Sequence, residues 1–596
     1  MPPEDNQSDS SFDDAPRDRL AALKEKVTRS RSWLRLSAVE HILPTMSPGE
    51  RAVLYILSIL LAASAFTLLV KVNNTVSTTI PAEGGSLIEG VVGTPRFINP
   101  LLAISQTDRD LTALIYSGLV RAQPDGSLIS DLAQDFNVSD DGTTYTFHIR
   151  KNATFHDGKP ITADDVLFTV KLAQNPEVKS PRRADWEGVE ASAPDSHTVV
   201  FKLPHPYAPF LNDTTLGILP KHLWKDVSAQ ELPFNSLNTE PVGSGPFSMG
   251  GTVADSAGTP TSYTLYRFQH FTLGAPYLDS ITFKFYPNQD TEVRAISAGV
   301  VQSFAGLTPV SVPQGSQGSV LLRAPLMRVF AVFFNQNHNA TLADISVRKA
   351  LDKAVDKQSL VQKVLAGYGE PLNGPIPQDA VAATSSADGL SPEARIAAAR
   401  TILQNGGWKW DTKRGAWTKG KLSLSLTLAT ADTKELAATA NEVATAWKNI
   451  GVPTTVQVYS LSELNTNVLR PRAYDAVLFG EVVGPSLDLF AFWHSSQRND
   501  PGLNLSLYAN AKADKLLATA RGTIDVAARD KLYGQFASIL TSDMPAVFLY
   551  APEFVYVVPA NVHGVSFGAI TTPDDRFLSA YSWYTDTERV WDLFAK

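Results

Sequence analysis

Only one stretch of the sequence approaches a motif that performs chemistry. Gly415–Leu422 (GAWTKGKL) resembles the phosphate-binding pattern GxxxxGK[ST], but Leu422 stands where a magnesium-binding hydroxyl is required. The residues that follow alternate as in a strand, so no helix N-terminus is available to bind phosphate. We therefore predict a hairpin turn between Trp410 and Trp417, and no nucleotide site.

Other catalytic and metal-binding motifs are absent from the sequence. It contains no cysteine, which excludes thiol nucleophiles, disulfides, cysteine zinc sites and iron–sulfur clusters. It has no GxSxG or HExxH motif, and its histidines form no close pair at metal-ligand spacing. His156 is interpreted as a turn residue and Asp164-Asp165 as the cap of a helix. The sequence predicts neither an enzyme nor a metal or cofactor site.

The apolar run Ala52–Val70 is predicted to determine where the rest of the chain lies relative to the membrane. This run carries no charge, and Arg51 and Lys71 close its two ends. As a helix it would extend about 28 Å, which is close to the hydrocarbon thickness of a bilayer. A cleaved signal peptide would have a shorter apolar region near the start of the chain and a small-residue cleavage site. The run is therefore predicted to be an uncleaved, single-pass signal-anchor helix.

The flanking charges predict its orientation in the cell membrane. Seven Lys or Arg residues lie between Arg17 and Arg35, against two acidic residues. Such a basic flank stays on the cytoplasmic side. Residues 1–51 are thus predicted to be a cytoplasmic tail, disordered and then basic, and residues 71–85 a polar linker. The main part would be extracytoplasmic, either periplasmic or extracellular. The net charge of −8 argues against nucleic acid as a partner.

The rest of the chain has the pattern of a mixed α/β protein. Thr144–Lys151 alternates apolar and polar residues as a half-buried strand does, and Thr162 can cap a helix that continues through Val170. Glu435–Ile450 forms an amphipathic helix pattern between two alternating strands. A chain of 596 residues is expected to form two or three domains.

Several segments, in this order and spacing, resemble solute-binding protein family 5. This family comprises the dipeptide- and oligopeptide-binding proteins of ABC importers and includes nickel-binding members. The resemblance covers about residues 86–596. The matching segments are Pro95–Val120, Asp131–Val170, Val242–Phe247, Val347–Pro377, Gly406–Trp408 and Tyr474–Gly480.

The resemblance implies a two-lobed periplasmic-binding-protein-like α/β fold of type II, with an extra subdomain. Residues 86–112, 203–307 and 554–596 would form lobe I. Residues 113–202 would form the extra subdomain, and residues 308–553 would form lobe II. The implied mechanism is hinge closure around a peptide ligand, followed by delivery to the permease and ATPase subunits of an ABC transporter. A monomer without a cofactor is expected.

The resemblance also implies which residues contact the ligand, on three segments of the chain. The loop after Asn99-Pro100 corresponds to the cleft edge on lobe I. One strand of lobe II is expected to line the cleft, and a second segment of lobe II is expected to follow the peptide. These residues are Ile104, Ser105, Gln106 and Thr107; Phe334 and Asn335; and Phe479, Gly480, Glu481, Val482 and Val483.

The sequence departs from the family at the anchor for the ligand's amino terminus. Peptide binders of this family commonly have an Asp after the second lobe II segment, where this chain has Gly484 and Pro485. Glu481 and Asp488 are the candidates to supply the charge instead. If neither faces the cleft, an ammonium group would be buried unpaired, which favours a blocked, neutral or non-peptide ligand. The alternatives are a receptor for a nickel chelate or sugar, and a ligand sensor not coupled to transport.

Overall fold

The computed structural model describes residues 46–306, 318–377, 389–484 and 487–595, and it divides into two compact units. The smaller unit comprises residues up to Ile80 together with the segment from Glu588 onward. The larger unit comprises Pro81–Thr587. The predicted cytoplasmic tail lies outside the described residues, apart from residues 46–51 at its end.

The smaller unit is built on one long helix, α1 (Pro48–Thr75). Ser47 and Glu50 form a capping box at its start, so the helix begins before the apolar run and ends after it. By length and composition it is able to span a membrane. Residues 71–85 are not an irregular linker, because they include the end of α1 and strand β1 (Ser77–Ala82).

The end of the chain pairs with this region. Strand β23 (Asp586–Trp591) lies beside β1. The side chains of Arg589 and Trp591 also donate hydrogen bonds to Asn74 and Asn73, at 2.9 and 2.8 Å. Residues 588–595, which the sequence analysis assigned to lobe I, lie in the smaller unit because of this long-range strand pairing.

The larger unit alternates helices and strands. Its longer helices are α2 (Gln106–Ile115), α3 (Ala163–Gln174), α4 (Gln289–Ser297), α5 (Ile345–Ala354), α6 (Lys357–Leu365), α7 (Pro392–Asn405), α8 (Lys434–Asn449), α9 (Ala511–Arg521) and α10 (Val526–Asp543). Short helical turns occur at Arg183–Trp186, Phe210–Asp213, Lys221–Trp224, Leu232–Phe234, Ser236–Asn238, Ala340–Ala343, Leu461–Glu463, Leu464–Leu469, Phe490–Trp493, Ser495–Gln497, Pro573–Phe577 and Ala580–Ser582.

The strands of the larger unit form one large sheet and several small ones. They are β2 (Ser86–Val92), β3 (Val120–Ala122), β4 (Leu128–Ser130), β5 (Ala133–Val138), β6 (Thr144–Ile149), β7 (Glu190–Asp195), β8 (Thr198–Lys202), β9 (Phe247–Ala254), β10 (Pro260–Arg267), β11 (Ser280–Tyr286), β12 (Ser303–Ala305), β13 (Ser319–Pro325), β14 (Arg328–Phe334), β15 (Gly369–Pro371), β16 (Lys409–Asp411), β17 (Ala416–Lys419), β18 (Leu422–Ser423), β19 (Leu426–Ala431), β20 (Thr454–Tyr459), β21 (Ala476–Val482) and β22 (Ala546–Pro559).

Strand β22 connects two hydrophobic cores. The large sheet has the order β20-β19-β21-β14-β22-β12-β2-β11-β10-β9, with β13 and β15 also paired to β22. One core extends from Met327 to Ala551 and defines lobe II. The other includes Leu87, Phe554 and Trp583 and defines lobe I. The long apolar strand therefore passes from one lobe to the other near residue 552.

Lobe II begins later than the predicted residue 308. Strand β13 pairs with residues 553–559 of β22, on the lobe I side of that strand. Ala324 and Leu326 are buried in the lobe I core, whereas Met327 is buried in the lobe II core. The boundary thus follows the core that each side chain enters.

The predicted hairpin between Trp410 and Trp417 is confirmed. Trp410 in β16 lies directly opposite Trp417 in β17, and Gly415 between them has a positive φ of 60°. This region is therefore a hairpin, as its sequence predicts, and offers no helix N-terminus for phosphate. Strands β5, β6, β8 and β7 form a separate sheet inside the segment predicted to be the extra subdomain.

Candidate functional site

The predicted lobe I segment is the start of α2. Ser105 caps this helix by accepting a hydrogen bond from the backbone N–H of Asp108. Thr107 is buried and donates to the carbonyl of Val92. The Gln106 amide donates to Asp110 at 2.6 Å, and Ile104 is 65% exposed. Ile104 is therefore free to contact a ligand, whereas Ser105 and Thr107 shape the segment that presents it.

The predicted lobe II segment presents alternate residues on opposite faces of β21. Val482 is 44% exposed and lies opposite Arg328 of β14, and Gly480 lies opposite Phe330. Val483 and Glu481 are buried, because side chains alternate along a strand. Gly480 and Val482 thus share an accessible face with Arg328. Phe479 is half-buried on the other face, the face of Glu481.

Phe334 and Asn335 do not join this group. Phe334 is fully buried at the far end of β14, opposite Ala476 and packed against Trp447. The Asn335 side chain accepts backbone hydrogen bonds from residues 337 and 338 and donates to the carbonyl of Arg472. The prediction that these two residues line the cleft is not supported, because they are packed in lobe II at the opposite end of the strand.

Two arginines from different lobes lie near each other at this accessible face. Arg328 begins β14 in lobe II, and Arg109 lies on α2 in lobe I. Their Nε atoms are both buried and have no hydrogen-bond partner among the described residues, although Arg109 forms an ion pair with Asp574 at 3.6 Å. Burial, together with the charge of Arg109, lowers the pKa of Arg328. Two guanidinium groups in this arrangement favour an anionic group between them.

A cluster of carboxyl groups lies where the extra subdomain segment meets lobe II. Asp213 has one buried carboxylate oxygen without a partner among the described residues. Burial, and the charges of Asp185 and Asp488, raise its pKa to about 8, while Arg182 at 4.0 Å opposes this effect. An arriving cation would restore the ionised form of Asp213.

The lobes contact each other beside this cluster through Arg521. Its carbonyl accepts a hydrogen bond from the backbone N–H of Ala208, at 2.9 Å. Its guanidinium pairs with Asp488 at 2.8 Å and lies over the rings of Tyr207 and Phe490, at 5.1 and 4.3 Å. The Tyr207 hydroxyl also donates to Asp488, at 3.5 Å. This bridge holds lobe I and lobe II together across the mouth of the cleft.

Neither candidate for the missing amino-terminal anchor is available to a ligand in this structure. Asp488 is already paired with Arg521. Glu481 is 2% exposed, and neither of its carboxylate oxygens has a well-formed hydrogen bond among the described residues. Burial raises its pKa well above the ordinary value, and the Trp493 indole opposes this only in part.

Arg328 and Asp213, which have buried side-chain atoms without a partner among the described residues, were not predicted from the sequence. Arg328 is the single charged residue in the apolar run Leu326–Phe334, and this interruption could have identified it. Asp213 has no comparable signal, since its surroundings are assembled from distant parts of the chain. Among the described residues, no group of three His, Cys, Asp or Glu side chains is arranged to hold a metal ion.

Two α/β lobes with separate cores, linked through the long strand β22, define a two-lobed binding-protein fold. The chain belongs to the bacterial extracellular solute-binding proteins, family 5, whose profile matches residues 127–502. It is not an enzyme, since the proteins of this family are binding proteins.

Two relatives match most of the length of this chain, and one of them has a solved structure with a similar fold. The chain is 29% identical to the oligopeptide-binding protein AppA of Bacillus subtilis over 533 residues, covering 87% of this chain and 95% of AppA. It is 30% identical to Protein XP55 of Streptomyces lividans, covering 81% of this chain and 86% of that protein. The structure of B. subtilis AppA in complex with a nonapeptide matches with a TM-score of 0.65 at 27% identity, covering 85% of this chain and 99% of that chain.

Proposed function

We propose that this protein captures peptides between its lobes and delivers them to an ABC permease, while α1 holds it at the cell membrane with the larger unit outside. Its relatives support peptide capture, since AppA is named an oligopeptide-binding protein and has been crystallised with a nonapeptide. The helix supports anchoring, because its apolar side chains are exposed along its whole length and would be stable in lipid.

The observation that carries the peptide assignment is a set of buried donor and acceptor atoms without hydrogen-bond partners among the described residues, namely the Nε atoms of Arg109 and Arg328 and one carboxylate oxygen of Asp213. A free peptide has a carboxylate at one end and an ammonium at the other. Arg109 and Arg328 offer donors to the carboxylate, and Asp213 offers an acceptor to the ammonium. Main-chain hydrogen bonds to the exposed edge of an extended ligand would add affinity that is independent of its side chains.

The first test identifies the ligand and measures the contribution of each charge. Small molecules released by denaturing the purified protein are analysed by mass spectrometry, and peptides are expected. Calorimetry then compares a synthetic peptide with forms blocked at either end. Arg328→Gln should weaken binding of the free carboxylate form about tenfold or more, and Asp213→Asn should do the same for the free ammonium form. The release of sugars or metal chelates alone would overturn the peptide assignment.

Matched controls make this test specific. Arg328→Gln should leave the affinity of a carboxyl-amidated peptide nearly unchanged, and Asp213→Asn should leave that of an acetylated peptide unchanged. Arg414→Gln removes an exposed guanidinium from the hairpin of lobe II and should alter neither affinity. An equal loss for free and blocked peptides would assign both residues to folding and not to ligand recognition.

The absence of cysteine permits a direct test of topology. Single-cysteine variants are made at Ser30, before α1, and at Asp140, in an exposed turn of the larger unit. In intact cells (spheroplasts if an outer membrane is present), a membrane-impermeant maleimide should label Asp140→Cys, but should label Ser30→Cys only after permeabilisation. Labelling of both variants in intact cells would contradict the proposed orientation.

A further inference from the structure

A second cavity lies at the carboxyl ends of parallel strands in lobe I. Strands β11, β2 and β12 run parallel, with β2 between the other two. Ligand sites in α/β proteins occur outside the carboxyl ends of such strands. A cavity of about 330 Å³ occupies this place, between the end of β2, helix α4 and the end of β12. This volume would hold roughly ten water molecules, or one charged side chain of a ligand.

Glu292 is the unusual group in the wall of this cavity. The residue is 1% exposed, and its Oε1 atom has no hydrogen-bond partner among the described residues. Gly90 lies beside it, and a side chain there would place its first carbon 3.3 Å from this oxygen. A side chain there would also place its first carbon 2.8 Å from Val301, so the glycine lets Val301 and the carboxyl group of Glu292 pack closely against β2.

The charged groups around Glu292 do not neutralise the negative charge of its carboxylate. The nearby guanidinium of Arg576 is engaged by Glu89 at 2.9 Å and Asp110 at 2.7 Å. Glu89 also accepts hydrogen bonds from Ser303 and from Tyr556. Burial and the charge of Glu89 raise the pKa of Glu292 to about 7, against the opposing effect of Arg576. Carboxyl groups thus outnumber the single guanidinium in this region.

We propose that this cavity binds a cationic organic group of the captured ligand, an ammonium or a guanidinium, with Glu292 as its counter-ion. The inference rests on the proposed function and adds to it a selectivity for cationic ligands. An organic cation fits because Val91, Ala305 and Pro573 offer apolar wall to its carbon atoms. Arg576 also lines the cavity, but its guanidinium is already paired with Glu89 and Asp110. A divalent metal ion would need several oxygen ligands, whereas a single unpaired carboxylate suffices for an ammonium or guanidinium.

The test uses the full-length protein in detergent and begins with a small probe. Butylguanidinium is the cation, and butylurea is a neutral molecule of nearly the same shape. Wild type should bind butylguanidinium at least tenfold more tightly than butylurea in calorimetry. Glu292→Gln should abolish that preference, while Glu292→Asp should keep part of it. Asp290→Asn is the matched control, because it removes an exposed carboxylate from the same helix and should change nothing.

Peptides then distinguish the source of the cation and separate this inference from the proposed function. Pentaalanine is compared with its lysine- and norleucine-containing forms, each with a free and with an acetylated amino terminus. A preference for lysine that Glu292→Gln removes identifies a side chain, and a preference for the free terminus that Glu292→Gln removes identifies the terminus. If pentaalanine binds but Glu292→Gln changes no preference, the cavity assignment is overturned alone. If butylguanidinium binds through Glu292 but no peptide binds, the cavity assignment stands and the proposed function fails. If neither binds, both are overturned.

Discussion

Arg576→Met should destabilise the larger unit by about 3–5 kcal/mol, the cost of leaving buried charges without their partner. The guanidinium of Arg576 pairs with both Glu89 and Asp110, and all three side chains are buried. Burial already raises the pKa of each carboxyl group, and the charge of Arg576 opposes this. Without that charge, both groups would hold their protons to higher pH. Urea unfolding followed by tryptophan fluorescence measures the loss.

The pH dependence separates this effect from a loss of packing. Because Arg576 favours the ionised carboxylates, removing it should cost most at pH 7–8 and less at pH 4–5, where the carboxyl groups are more readily protonated. Arg183→Met, at an arginine about half exposed, is the matched control and should change stability by less than about 0.5 kcal/mol. An equal loss at all pH values would show that Arg576 acts through packing alone.

The long apolar helix and the family were predictable because their signals are local. The apolar run Ala52–Val70 defines a helix by composition, and the capping box at Ser47 and Glu50 explains why it begins earlier. The pairing of β1 with β23 was not predictable, since it joins segments about 500 residues apart in a chain that carries no marker for it. The boundary near Met327 was missed for a similar reason: it depends on which core each side chain enters.

The candidate site was predictable by segment but not by side chain. Strand β21 is a central strand whose residues Ala476, Val477 and Leu478 are buried on both faces, and such strands read as continuous apolar runs without alternation. The sequence therefore could not tell that Gly480 and Val482 share the accessible face while Glu481 and Val483 do not. In β14, the residue chosen from the sequence was Phe334, which lies at the opposite end of the strand from Arg328.

Asp213 and Glu292 were not predicted from the sequence, because their raised pKa values and unpaired oxygen atoms result from burial in the folded chain. Each is an ordinary acidic residue in the sequence, and only the folded chain removes water from it and leaves an oxygen without a partner. The departure from the family pattern at Gly484 predicts a different amino-terminal anchor. The structure places unpaired acceptors on lobe I, at Asp213 and Glu292, whereas the sequence analysis considered only lobe II.

Glu481→Gln should stabilise the unliganded protein at neutral pH, by on the order of 3 kcal/mol, since it removes an uncompensated buried carboxyl group. The folded-state pKa of Glu481 is raised well above its ordinary value of 4.5. As pH rises above 4.5, the unfolded chain loses this proton while the folded protein retains it, so the wild type loses stability with increasing pH.

The gain from Glu481→Gln should therefore be small near pH 4 and grow as pH rises toward 8. Thermal unfolding of the two proteins across this range measures it, and Glu187→Gln, at an exposed glutamate, should give no such trend. If Glu481→Gln instead destabilises the protein at pH 8 and weakens peptides with a free amino terminus, Glu481 is ionised and serves the ligand. In that case the lobe II anchor predicted from the sequence is correct, and the burial of Glu481 must be relieved when the ligand binds.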